Sequence, residues 1–191
     1  FRIPHPDRET VERALRQAGW VSGERLIAVN VSARWSTKRW PIASFAALAD
    51  LVVQHGMGSV LFIGGNDERA EVAQVRKLMK ARSLDLCGAL PVGLLPALLG
   101  RTEVLITNDS GPMHIAAAVG TPVAAFFGPT SPLRTGPYGP DHAVLIHPLP
   151  CSPCFSRTCS NSKQLACLTD ITVDRAFSVV ASLPRRSAQS L

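Results

Sequence analysis

Two rhythms of hydrophobic and polar positions alternate along most of the chain. Short, largely apolar runs predict buried strands at Leu26–Val31, Val60–Ile63, Leu84–Leu86, Val104–Thr107, Val123–Phe127 and Val144–Ile146. Between them, apolar residues recur at helical spacing, as at Val72, Val75, Leu78 and Met79. These predict helices over Ala43–Gln54, Glu68–Lys80, Val92–Leu99 and Gly111–Val119, with an opening helix over Asp7–Ala18 and a closing one over Thr172–Leu183. A strand with no polar face must be covered on both sides. Alternation of such strands with helices therefore predicts an α/β fold, a parallel sheet with helices on both faces.

Two stretches break the pattern. Pro129–Pro140 is rich in Pro and Gly and reads as loop, and Pro148–Leu168 holds four of the five cysteines with almost no periodicity. The expected divisions are an opening connector helix (1–24), the α/β domain (25–147), a Cys-rich loop (148–170), the closing helix (171–184) and a flexible tail (185–191). With 46% hydrophobic and 18% charged residues, the chain is not disordered. The apolar stretch Ile115–Phe127 is interrupted by Gly120, Thr121 and Pro122 and is too short to span a bilayer. No secretory leader opens the chain, and a start at Phe1 suggests that a longer protein begins upstream. The net charge of +6 is spread over scattered Arg and Lys residues, which suits nucleotide phosphates or an anionic membrane surface. Nucleic acid is not an expected partner, because there is no dense basic stripe and only 6% of residues are aromatic.

Ligands of open α/β sheets bind beyond the carboxyl ends of the strands, and four segments fall there. Asn30–Pro41 follows a strand and combines Ser32, Ser36 and Thr37 with Arg34, Lys38 and Arg39. Backbone N–H groups and a lysine point charge in such a loop suit a diphosphate. Gly64-Gly65 makes a tight turn, and Glu68 just beyond it can accept from ribose hydroxyls. Alternatively, that turn simply opens an acidic helix start. Thr107–Ala118 runs from a strand through Asp109-Ser110-Gly111 into a helix with Pro112 in its first turn, where free N–H groups face any anion above the strand. The competing reading makes Asp109 or Ser110 a helix cap and His114 a packing residue. The fourth segment places Cys151, Cys154, Cys159 and Cys167 in a C-x2-C-x4-C-x7-C run. Four thiols match a tetrahedral structural zinc, and an iron–sulfur cluster or two disulfides fit the same count. Cys87 stands apart and reads as a small buried hydrophobe.

Lys38-Arg39-Trp40-Pro41, Gly64-Gly65-x2-Glu68, Asp109-Ser110-Gly111-Pro112-Met113-His114-x-Ala116-Ala117-Ala118 and Phe127-Gly128-Pro129-Thr130 occur in that order. Together they resemble family 9 glycosyltransferases, the lipopolysaccharide heptosyltransferases, over roughly residues 25 to 182. The cysteine run ending in Cys167-Leu168 resembles heptosyltransferase II-like members.

That resemblance implies a Rossmann-like sheet forming the C-terminal half of a GT-B fold, with the N-terminal acceptor domain and its catalytic Asp missing. The donor implied is ADP-heptose and the acceptor a lipid A inner-core saccharide. The location implied is cytoplasmic, peripheral to the inner membrane surface. Lys38 would neutralise the diphosphate, Glu68 hold the ribose, and Ser110 and Gly111 donate N–H groups to phosphate. Asp109 would contact heptose hydroxyls and Leu90 the adenine, with Ser32, Arg34, Pro112, Met113 and His114 completing the donor contacts. Lys38 and Asp109 are the catalytic candidates of this half. Transfer in the family needs no cofactor, so a zinc at the cysteines would be architectural. Two features depart from the family pattern: Val31-Ser32 replaces a Pro-Gly, and Ala89-Leu90-Pro91 replaces a Lys-Thr-Ser. The rivals are another GT-B nucleotide-sugar enzyme such as an epimerase, and a non-enzymatic zinc-knuckle module.

Overall fold

The computed structural model describes residues 4–184. The expected tail, 185–191, lies outside the described residues. Six strands form one sheet: β1 (Leu26–Asn30), β2 (Ser59–Phe62), β3 (Ser83–Asp85), β4 (Val104–Asn108), β5 (Val123–Phe127) and β6 (Ala143–Ile146). All pairings are parallel, and the order is β3-β2-β1-β4-β5-β6. This is the predicted Rossmann-like arrangement, in which the chain reverses direction across the sheet between β1 and β4.

β1, β4 and β5 are buried along their whole length, β1 and β4 ending in the buried polar residues Asn30, Thr107 and Asn108. One face is covered by α2 (Ile42–Gln54), α3 (Arg69–Leu78) and α8 (Val173–Ser182), which pack with Ile27, Val29, Phe62, Ile106 and Phe126. The other is covered by α1 (His5–Gln17), α4 (Leu95–Gly100) and α5 (Gly111–Ala118), which pack with Ala28, Leu61, Leu105 and Phe127. The opening helix thus belongs to a core layer: Val11 and Leu15 are fully buried in it. Thr172 caps α8 by accepting from the Arg175 N–H.

Several local expectations change. Glu68 and Val92 fall in short 3-10 turns (Asn66–Glu68 and Val92–Leu94) that precede α3 and α4. Pro129–Pro140 is not all loop, because α6 (Pro132–Thr135) forms one turn there, and α7 (Ala166–Thr169) forms another inside the Cys-rich stretch. Four residues are too few to show a helical period, so neither is visible as a pattern.

Candidate functional site

The carboxyl ends of β1, β2 and β4 open into a pocket of about 620 Å³. That is the size of a site for a nucleotide-scale ligand. Its position at the crossover between β1 and β4 follows from the strand order, since the loops leaving these two strands run to opposite sides and leave a crevice.

The loop after β1 is anchored so that Arg34 and Lys38 line the pocket while Arg39 turns away from it. Trp40 is buried, stacked on Phe126 at 4.2 Å, and its indole N–H donates to the Ile171 carbonyl. Its backbone N–H donates to Asn108 Oδ1. Arg39 turns back to the Ala33 carbonyl and pairs with Glu71, so it serves the loop. Lys38 is left to reach Asp109 Oδ2 at 2.7 Å. The same oxygen accepts from Thr130 Oγ1 at 2.7 Å. Asp109 is 6% exposed, and a carboxylate so buried requires partners of this kind. Both bonds fall on Oδ2.

Asp109 leads into α5. Ser110 occupies its N-cap position yet makes no capping bond from its side chain. Its hydroxyl instead contacts Thr107 Oγ1 at 3.0 Å and Asn30 Oδ1 at 3.1 Å. The cap reading of Ser110 therefore falls; at the start of α5, Pro112 has no N–H and the Met113 N–H donates to the Ser110 carbonyl at 3.2 Å. His114 is exposed and lines the pocket, so it is not a packing residue.

At the other end, the Gly64-Gly65 turn lets Glu68 fold back. Glu68 Oε2 accepts from the Gly65 N–H at 2.8 Å, while a Cβ on Gly64 would strike that carboxylate and lie 3.1 Å from Cys87 Sγ. Cys87 sits beneath the turn, its thiol bonded to the Gly65 carbonyl. Burial, then the Asp85 and Glu68 carboxylates, push that thiol up to about 11. The remaining wall is apolar, formed by Leu86, Leu90, Pro91, Val92, Leu95 and Leu98.

Of the donor contacts expected from sequence, Arg34, Lys38, Glu68, Leu90, Asp109, Ser110, Gly111, Pro112 and His114 line this one pocket. Ser32 and Met113 do not. Ser32 is buried behind the loop, and Met113 is fully buried in the core because its helical phase, shared with Ala116, points it at the sheet. Asn30 and Thr130 hold the site together but carry no role in the sequence reading.

The expected metal centre is not supported. Cys151, Cys154, Cys159 and Cys167 all line a separate cavity of about 30 Å³. Among the described residues, however, no three His, Cys, Asp or Glu side chains are placed to hold an ion. Cys151 and Cys154 are exposed, Cys167 is buried, and all four are free thiols. The loop is fixed by polar bonds instead: Phe155 N–H to the Pro129 carbonyl at 2.7 Å, Thr37 Oγ1 to the Ser156 carbonyl at 3.0 Å, and Ser152 Oγ to the Gly128 carbonyl at 2.5 Å.

Fold and pocket together define an α/β domain whose sheet crossover opens into a pocket lined by Lys38, Asp109 and Glu68 beside an apolar wall. The chain belongs to glycosyltransferase family 9, the heptosyltransferases, whose family model matches residues 5–165. It is 30% identical over 171 residues to lipooligosaccharide heptosyltransferase 2 of Campylobacter jejuni, covering 87% of this chain and 53% of that protein. The family 9 glycosyltransferase of Veillonella parvula superposes with a TM-score of 0.80 at 27% identity, over 95% of this chain and 52% of that one. The E. coli ADP-heptose lipopolysaccharide heptosyltransferase II shares the fold, with a TM-score of 0.78 at 22% identity over 95% of this chain and 52% of that one. The chain thus spans about half the length of these relatives. Family membership sets aside the zinc-knuckle rival.

Proposed function

We propose that the chain is the donor-binding part of an inverting glycosyltransferase that moves heptose from ADP-heptose to the inner core of lipopolysaccharide. The observation that carries this reading is the pocket itself. A lysine, a buried carboxylate and a helix start lie at one end, a glycine turn with a hooked glutamate at the other, and an apolar wall of Leu86, Leu90, Leu95 and Leu98 lines the same pocket. A nucleoside diphosphate sugar has this order of chemistry. The relative from E. coli is described as an ADP-heptose enzyme, which supports the choice of donor.

In this reading the ribose hydroxyls donate to Glu68, and the adenine packs on Leu90. The diphosphate lies over the start of α5 with Lys38 beside it. Negative charge grows on the β-phosphate as the anomeric bond breaks. Fixed N–H groups and the lysine ammonium oppose it without reorganisation, and such a donor is worth about 3–4 kcal/mol in a dry site. Thr130 keeps Asp109 Oδ2 occupied when Lys38 turns to phosphate, which leaves Oδ1 for a sugar hydroxyl. The base that deprotonates the acceptor belongs to the part of the relatives that this chain does not cover. No described helix is long and apolar enough to cross a membrane. In the proposed reading, contact with a lipid A acceptor is peripheral, at the cytoplasmic face.

Calorimetric titration of the chain with ADP tests the reading. ADP is expected to bind weakly, and the chain alone is expected to transfer no heptose, because proximity to the acceptor and base catalysis are both missing. Absence of ADP binding, or robust turnover by the chain alone, would overturn it.

A further inference from the structure

Asn30 ends β1 and pairs in register with Thr107 of β4, the two strands between which the crevice opens. It is 1% exposed, and its amide borders the floor of the pocket. Its oxygen accepts from Ser110 Oγ at 3.1 Å and Thr107 Oγ1 at 3.3 Å. Its nitrogen faces the other way, toward the Ile63 carbonyl at 3.4 Å and Glu68 Oε2 at 3.5 Å. Chemistry fixes this orientation. A flipped amide would put its oxygen against a carbonyl and a carboxylate, neither of which can donate.

One side chain therefore touches both halves of the pocket: the glycine-turn glutamate that follows β2 and the helix start that follows β4. A ligand that spans from ribose to phosphate needs those two ends at a fixed separation, and an error of about 1 Å can cost on the order of 100-fold. We infer that Asn30 is a positioning residue that locks Glu68 and Ser110 into matching register for a nucleoside diphosphate. It acts through those two residues, and the inference rests on the donor-site reading above. Glutamine would be too long for this gap, and a hydrophobe would supply neither the donor toward Glu68 nor the acceptor toward Ser110. An amide is the group that donates on one side and accepts on the other.

Asn30→Asp tests this, because it keeps the shape and the acceptor toward Ser110 but sets a second carboxylate beside Glu68. The charged and titratable groups around that pair are Asp67, Glu68 and Arg69 after β2, Asp85 and Cys87 at the end of β3, Arg34 and Lys38 after β1, Asp109 after β4, and His114 on α5. All are common to wild type and variant, so the ratio of their ADP affinities isolates the new pair. At about pH 8 the variant is expected to bind ADP about 10- to 100-fold more weakly. The loss should shrink as pH falls and one proton is taken up between the two carboxylates, restoring a donor. It should also be smaller for 2′,3′-dideoxy-ADP, which has no hydroxyls for Glu68 to hold. Glu68→Gln added to Asn30→Asp should remove the pH dependence. Asn30→Ser, uncharged and too short to reach Glu68, gives the same ADP-against-dideoxy-ADP contrast if the aspartate variant does not fold. Failure of wild type to bind ADP would sink the donor-site reading itself. Wild-type binding with an unchanged variant, or with a loss equal at every pH and for both nucleotides, would overturn the role of Asn30 alone.

Discussion

Lys38 and Asp109 share one hydrogen bond at 2.7 Å, and this joins two residues that sequence alone treats as separate contacts. Removing the lysine leaves Thr130 as the remaining partner of a carboxylate that is almost wholly buried. Lys38→Ala should therefore lower both ADP affinity and stability. Asp109→Ala should alter ADP affinity too, because it releases Lys38 from its partner. The two effects should not add: a double-mutant cycle on denaturant unfolding is expected to show about 0.5–3 kcal/mol of coupling. Additivity within error would mean that the pair carries no net interaction in solution. Thr130→Val, which deletes only the hydroxyl, should cost about 1–3 kcal/mol by leaving part of the buried carboxylate unsatisfied.

Among the elements, the strands and long helices were legible because burial on one or both faces writes itself into hydrophobic period. β5 lies where its pattern puts it, and the other boundaries move by a residue or two, except that α4 starts three residues later than expected, behind a 3-10 turn. The one-turn helices α6 and α7 were not legible, and neither were the polar bonds from Thr37, Ser152 and Phe155 that tie the Cys-rich loop to its neighbours. The site was legible where glycine, cation and carboxylate collect at strand ends. Asn30 and Thr130 were not, since their roles exist only once the sheet order brings the ends of β1, β4 and β5 side by side. The glycine turn after β2 gives the sharpest test at this scale. Gly64→Ala must push Glu68 or Cys87 aside, and overpacking of this kind typically costs about 1–3 kcal/mol. ADP affinity should fall with it because Glu68 is the group displaced. Gly93→Ala meets open space and should leave stability and ADP binding unchanged. Equal tolerance of both changes, read by melting temperature and ADP titration, would show that the turn is loose enough to absorb a methyl.

At the scale of the whole molecule, the five thiols report how different regions open. Cys151 and Cys154 lie on the surface of the Cys-rich loop, Cys159 is half-buried, and Cys167 and Cys87 are buried. Burial raises the Cys167 thiol above its ordinary value, with the neighbouring Cys159, Cys154 and Cys151 adding to the effect. Burial raises Cys87 to about 11. A thiol whose folded pKa lies above its unfolded one stabilises the fold below the unfolded value and loses that contribution as pH rises through the folded one. For Cys87 the window therefore runs from about 9 to about 11, and alkaline destabilisation there should be reduced in a Cys87→Ala variant. At about pH 8 both buried sulfurs are protonated and shielded, so they should react with iodoacetamide only when the surrounding structure opens. Cys151 and Cys154 should be labelled first. ADP then separates two kinds of opening. Cys87 lies under the turn that holds Glu68, so ADP at about 100 times its Kd should slow its labelling by up to about 100-fold if that opening abolishes binding. Cys167 packs against Gly128, away from the pocket, and should be slowed only to the extent that it is exposed by global unfolding. Site-resolved mass spectrometry of the alkylated protein reads both rates at once. Equal slowing of Cys87 and Cys167 would mean that the sheet opens as one cooperative unit. Slowing of Cys87 alone would locate the ligand over the β2 turn and mark that turn as the part of the fold that opens independently.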